Sequence, residues 1–297
     1  MWRRSSTRWW LALVVAVSAC VVACRNTNDT PAKRNSDPDH VRNSVIIIHG
    51  VGNQSAGYSK PLQDLLKAED SSLHFTEVLW SDLGSVLRQA EDPSKQKERE
   101  AAEQELLNEI DAAEQKTLTS GPPSPATPQH DQQVRDEYAA ARGFVSPIVS
   151  YEYLSADQRT RIQQRLREAL DWSAQHAEKT YVIAHSLGSV IAFDCLQAWE
   201  GGTPPGKVAF LTTMGSPLGK TIFASHRGRP TGRPATVDGW VNFYSPHDVI
   251  SSSLAGAYVN VDDRNVRTPL LPLAAHSSYW THVDVVSELM KRVQSGG

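Results

Sequence analysis

The chain has 297 residues, of which 40% are hydrophobic and 21% charged, and its formal net charge is −3. Such a length suits one large α/β domain with its own core, and the composition is that of an ordinary globular protein. A slightly acidic balance offers no electrostatic footprint for nucleic acid and excludes it as a default partner.

Arg3, Arg4 and Arg8 precede an apolar run from Trp9 to Ala23 that ends in small residues and two cysteines. The run is short for a bilayer span and reads as a secretory signal over residues 1–23. Val17-Ser-Ala-Cys20 and Val21-Val-Ala-Cys24 both have the form of a bacterial lipoprotein box, in which the cysteine is lipidated and becomes the new first residue. Cys24 fits better than Cys20, because it uses the whole apolar run and Arg25 then opens a polar tether over residues 24–43. The expected location is the bacterial cell envelope, with the protein held to a membrane by its lipid and facing the periplasm or the exterior. Loss of the three arginines takes the formal charge from −3 to −6. Cys195 is then the sole cysteine of the domain at 44–297, so no disulfide framework is possible there, and its apolar surroundings predict a buried structural thiol.

The domain opens with Ser44-Val-Ile-Ile-Ile-His49, a continuous β-branched run suited to a strand buried on both faces of a parallel sheet. Helical spacing follows over Gly57–Ala68, and a second strand is predicted over His74–Trp80. From Asp82 to about Thr117 the composition turns to Glu, Lys, Gln and Ala with thin apolar patches, which reads as a solvated amphipathic helix. Gly121-Pro-Pro-Ser-Pro-Ala-Thr-Pro128 is a loop or linker. Residues 81–147 therefore look inserted between sheet elements, either as a cap over a site or as a peripheral ornament. Ser155-Ala-Asp-Gln158 has the spacing of a capping box, and Ile162, Leu166, Ala169 and Leu170 make one apolar helix face behind it. Strand Thr180–Ala184, helix Gly188–Trp199, strands Lys207–Met214 and Trp240–Tyr244, and a last helix over Thr281–Arg292 complete the alternation. The pattern predicts an α/β fold with a mostly parallel central sheet and helices on both faces.

Chemistry concentrates at Tyr181-Val-Ile-Ala-His-Ser-Leu-Gly-Ser189. An apolar strand, a Ser between Ala184 and Gly188, and an apolar helix form a nucleophile elbow with Ser186 at its apex. A serine hydroxyl needs a base to take its proton and a third group to orient that base, and on such an elbow the chain order is Ser, acid, His. Asp194 lies inside the following helix and Asp238 precedes a strand, so both point away from the site edge. Asp248 stands just past the end of strand Trp240–Tyr244, where the acid belongs; Asp262 and Asp263 are the fallback, in a polar loop. Only His276 and His282 come after it. His276, placed in a loop before the last helix, is the base; His282, in that helix's first turn, is a packing or surface histidine. His185 and His247 adjoin triad residues and are expected to shape the pocket. An oxyanion hole needs two backbone N–H groups, for which Leu187, after the nucleophile, and Val51, in His49-Gly-Val-Gly-Asn-Gln54, are the candidates. That glycine-rich loop is not a phosphate loop, since Tyr58 occupies the lysine position, nor a dinucleotide fingerprint, since Ser55 replaces the third Gly. No zinc-protease helix and no Cys/His metal cluster appears.

Val-Ile-Ile-Ile-His-Gly-Val-Gly (45–52), Ala-His-Ser-Leu-Gly-Ser (184–189), Met-Gly-Ser-Pro-Leu-Gly (214–219), Asn-Phe-Tyr-Ser-Pro-His-Asp-Val (242–249) and His-Ser-Ser-Tyr-Trp (276–280) together resemble the serial motifs of bacterial lipase/esterase-like α/β hydrolases. The Ala-for-Gly elbow is similar to that of some small bacillus-type lipases. The resemblance covers about 44–80 and 150–292. It implies the α/β-hydrolase fold and a Ser-His-Asp serine hydrolase, needing no cofactor, that cleaves small-molecule or lipid esters through an acyl-enzyme. The family also holds thioesterases, amidases and peptidases, acyltransferases and members without activity, so the same residues would also serve those reactions or an idle envelope binding protein. Neither the substrate nor the oligomeric state follows from the sequence.

Overall fold

The structure is a computed structural model and describes residues 40–88, 93–119, 128–199, 206–227 and 231–295. The expected signal segment and both lipidation candidates, Cys20 and Cys24, lie outside the described residues. Among the described residues no helix is long and apolar enough to cross a membrane.

The opening apolar run becomes β1 (Val41–Ile48), which starts three residues before the predicted domain boundary. The reason is backbone pairing rather than side-chain pattern, since Val41 and Asn43 sit opposite Ala177 and Lys179 of β3 (Ala177–His185). With β2 (His74–Val78), β4 (Val208–Met214), β6 (Trp240–Tyr244) and β8 (Asp262–Asn265) these strands form one sheet in the order β2-β1-β3-β4-β6-β8. Each neighbouring pair runs parallel. A separate short pair joins β5 (Thr231–Gly232) to β7 (Tyr258–Val259).

Side chains of the central strands alternate between two cores, one on each face. Ile46, Ile48, Val182 and Ala184 enter a core with the helices Ala156–His176 and Leu187–Ala198. Val45, Ile47, Tyr181 and Ile183 face the other way, against Leu62 and Leu66 of helix Lys60–Glu69 and Val285 and Leu289 of helix Val283–Ser295. Both outer helices start later than predicted, at Lys60 and Val283, because turns occupy the residues before them. The capping box at Ser155 is formed in both directions, Gln158 N–H to Ser155 Oγ and Ser155 N–H to Gln158 Oε1. Cys195 is buried and free, and burial pushes its thiol up to about 12.

The described parts of the inserted segment are helical and contribute to the core. Helices Gln96–Thr119, Pro128–Arg142 and Val145–Glu152 follow a short helix at Gly84–Arg88. Leu106, Ile110, Val134, Tyr138, Ile148 and Val149 join the same core as Leu187 and Val190, so the solvated-helix reading of this region holds only for its outer side. An ionic cluster locks helix Val145–Glu152, which follows on from the insertion, to the helix after Ser186. Arg227 donates to both Asp194 oxygens at 2.9 and 2.8 Å and to Glu152 at 2.7 Å. The Glu152 side chain is only 2% exposed and that of Arg227 9%. Replacing Arg227 by Met leaves the buried Glu152 carboxylate without its cation, while Asp194 keeps Arg159 at 3.6 Å, and a loss of about 3 kcal/mol is expected. Urea unfolding checks it: a variant within experimental error of wild type would show the cluster to be energetically idle, whereas R227M with Glu152→Gln should regain part of the loss.

Candidate active site

The chain leaves β1 for β2 on one side and returns through the insertion to β3 on the other. The crevice beyond the carboxyl ends of β1 and β3 is therefore the topological switch point, where parallel sheets place their ligands. His49-Gly50-Val51 follows β1 there, and Ser186 follows β3.

Ser186 has φ 55° and ψ −134°, a left-handed backbone that a side-chain-bearing residue adopts only under constraint. The constraint is visible: its N–H donates to the Met214 carbonyl at 3.0 Å, and its own carbonyl accepts from Ser189 N–H and Oγ at 2.9 and 2.6 Å. Two glycines permit the turn. A Cβ on Gly188 would collide with the carbonyls of Ile48 and His49, and one on Gly50 would lie 2.7 Å from Ser186 Oγ. Ala184 is tolerated at the first small position because its methyl points into the core.

Asp248 lies in the turn after β6, with its N–H on the Ser245 carbonyl at 3.1 Å. Its Oδ1 accepts from the N–H groups of Ile250 and Ser251 at 3.0 and 3.3 Å. His276 Nδ1 stands 2.9 and 3.0 Å from the two carboxylate oxygens. Burial by itself would raise the Asp248 carboxyl, but the His276 ring and the Ile250 N–H outweigh it and hold the group below the usual carboxylate range. His276 is not on a loop as predicted; it sits in a short helix, Pro272–Ser278, started by Pro272. Ser186 and His276 both adjoin the Met214–Gly215 segment, in which Gly215 has φ 60°. Ser186 bonds the preceding carbonyl, and His276 Nδ1 lies 3.2 Å from the point where a Gly215 Cβ would be. A hydrogen bond from Ser186 Oγ to His276 Nε2 is not among those formed; such contacts often tighten only with substrate bound.

The fallback carboxylates have other employment. Their segment is not a loop but strand β8, where Asp262 pairs with Arg264 and Asp263 accepts from Asn242, Ser253 and the Leu254 N–H. Asp194 is taken by Arg227, and Asp238 pairs with Lys207. His282 precedes the last helix rather than lying in it, accepts from the Asp284 N–H at 3.2 Å and bonds the Arg267 carbonyl at 2.9 Å. His247 lies 3.4 Å from the Thr268 carbonyl.

Of the oxyanion candidates, Leu187 is fully buried and opens helix Leu187–Ala198, so its N–H is one of the first-turn donors without an intrahelical partner. Val51 is half-buried beside Gly50. Its loop is held by residues that the sequence did not single out. Glu77 accepts from the N–H groups of Gly57 and Ser59, and Ser81 Oγ accepts from Gln54 N–H at 2.8 Å. His49 stacks on Trp80 with ring centroids 5.1 Å apart, donates through Nδ1 to the Gly50 carbonyl at 2.7 Å and accepts at Nε2 from Trp80 N–H at 3.3 Å. That pattern sets the neutral tautomer. The hint available in the sequence was the His before the glycines.

Ring contacts run from His49 through Tyr58, Trp280 and His185 to His276 and Phe144, a continuous series in which the three histidines are buried and Tyr58, Trp280 and Phe144 half-buried. His185 Nε2 donates to the His276 carbonyl at 2.8 Å. Burial lowers His49 from 6.5 to about 4, and burial followed by the neighbouring His276 ring lowers His185 from 6.5 to about 3. An unfolded chain with ordinary imidazoles takes up protons that the folded protein refuses, so stability is full above about pH 6.5 and falls as the pH drops toward 4. Urea midpoints across that range should slope downward in wild type and less steeply in His49→Gln; equal slopes would remove His49 from the account.

Among the described residues no three His, Cys, Asp or Glu side chains converge to hold a metal ion. No protein-family model matches the chain, and no curated protein is similar to it by sequence.

Proposed function

We propose that the protein is a serine hydrolase of the α/β-hydrolase fold that cleaves carboxylic esters, lipid esters among them. The observation that carries this reading is the buried His276–Asp248 pair beside a strained Ser186 at the switch point of the sheet. Ser186 Oγ attacks the acyl carbon while His276 Nε2 takes its proton, and Asp248 holds the Nδ1 proton and offsets the charge of the imidazolium. The N–H groups of Val51 and Leu187 receive the developing oxyanion. His276 then gives its proton to the leaving alkoxide, and the acyl-enzyme remains. Water, deprotonated by His276, attacks that ester; the carboxylic acid leaves and the serine is restored. The half-buried aromatic rings around the triad favour an apolar acyl group. The chain acts in the cell envelope, tethered by a lipid on Cys24.

Reaction of the folded protein with a fluorophosphonate, followed by peptide mass analysis, tests the reading. A single adduct on Ser186 supports it, and a protein that labels nowhere is instead a binding module with this fold. Acyl release measured in water and with an added alcohol separates hydrolysis from transfer, and an acyl mass on Cys24 of protein from its native host tests the anchor.

A further inference from the structure

The helix that carries His276 cannot cap itself. Its N-cap position is Leu271, whose side chain has no acceptor, and its first residue is Pro272, which has no N–H. Leu273 therefore supplies the first free N–H of the helix, and its partner is Glu137 Oε2 at 3.0 Å. Glu137 belongs to the inserted helix Pro128–Arg142, 136 positions away along the chain. A carboxylate at this end also complements the helix dipole. The same insertion places Phe144 against the His276 imidazole, with ring centroids 6.3 Å apart. The platform behind both residues is well anchored: Arg142 pairs with Asp111 and Glu114, Ser146 donates to Glu103 at 3.0 Å, and Lys220, after β4, pairs with Glu109 at 2.6 Å.

We propose that Glu137 and Phe144 are positioning residues for His276, so that the base is held correctly only while the insertion is seated on the domain. The insertion is then part of the catalytic apparatus, acting on the base rather than on the nucleophile. Asp248 fixes one edge of the imidazole, and His185 holds the backbone carbonyl and lies 4.6 Å from the ring; the insertion holds the helix start and sets Phe144 near the ring. The proposal rests on His276 as the base of the ester hydrolase read above.

The full chain tests it with Glu137→Ala, Glu137→Gln and Phe144→Ala, each assayed on a p-nitrophenyl ester and by hydrogen exchange over residues 271–279. Glu137→Ala should lower kcat about 10-fold, as small misplacements of a catalytic group do, and leave KM within about twofold. Glu137→Gln, whose amide oxygen still accepts from Leu273 N–H, should recover most of that loss. Exchange should quicken at Leu273–His276 in Glu137→Ala and much less in Glu137→Gln. Wild-type kcat and exchange in folded Glu137→Ala overturn the proposal, as does equal loss in the Ala and Gln variants. Should Glu137→Ala fail to fold, Phe144→Ala and the Gln variant decide: both matching wild type in kcat and exchange overturns it. If the wild-type protein turns over no ester, the functional reading fails first, and the exchange data still decide whether the insertion holds the helix.

Discussion

Replacing Ser186 with Ala is expected to lower ester turnover by about 10⁴–10⁶-fold and to abolish fluorophosphonate labelling, with the fold intact. The size follows from the role: without the hydroxyl there is no acyl-enzyme, and only the oxyanion donors and substrate binding remain. The fold should survive because the contacts that impose the positive φ at this position are made by the backbone, through Met214 and Ser189, and not by the hydroxyl. Alanine keeps the Cβ around which Gly50 is packed, so no cavity opens there. Thermal unfolding of the variant near the wild-type midpoint, together with the lost turnover, would isolate the chemical role. Labelling that persists undiminished in the variant would remove Ser186 from it.

The second large effect is expected at Asp248. Asn has the same shape and its Oδ1 can still accept from Ile250 and Ser251, so the turn after β6 should keep its form. Its Nδ2 would, however, point a donor at His276 Nδ1 and favour the tautomer whose proton sits on Nε2, the atom that accepts from Ser186 in the proposed mechanism. A loss of about 10⁴ in kcat is expected, as for the orienting acid of other triads. Asp262→Asn is the internal control, because that carboxylate serves Arg264 and should leave kcat unchanged. Asp248 and the first fallback are thus separated by one measurement each: a fall in Asp262→Asn with none in Asp248→Asn would reverse the assignment. Asp248 is held below the usual carboxylate range, so the stability it contributes is present above its unfolded pKa and is lost as the pH falls through the lower folded value.

Much of this arrangement is legible in the residues themselves. Runs such as Val45–Ile48 and Tyr181–Ala184 can satisfy their side chains only between two covering layers, so they announce central parallel strands without help from the rest of the chain. The small residues around Ser186 announce a turn that bulkier ones would block. Chain order then restricts the acid and base, and the structure sets Asp248 and His276 within hydrogen-bonding distance. Such features are local, or depend only on sequence order.

Other features have no local signal. Asp262-Asp-Arg-Asn265 carries no apolar alternation and becomes a strand because β6 offers its backbone a partner. His276 leaves its expected loop for a helix whose first N–H is answered by Glu137 from the insertion. His49 takes its tautomer from Trp80 and Gly50, and the insertion joins the core through Leu106, Ile110 and Ile148. Residue types and their order therefore determined which groups are available for chemistry and which strands carry them. Tertiary structure alone decided how His276 is held, because a cap, a neighbouring ring or a strand partner supplied from a distant segment leaves no periodicity in the sequence it stabilises.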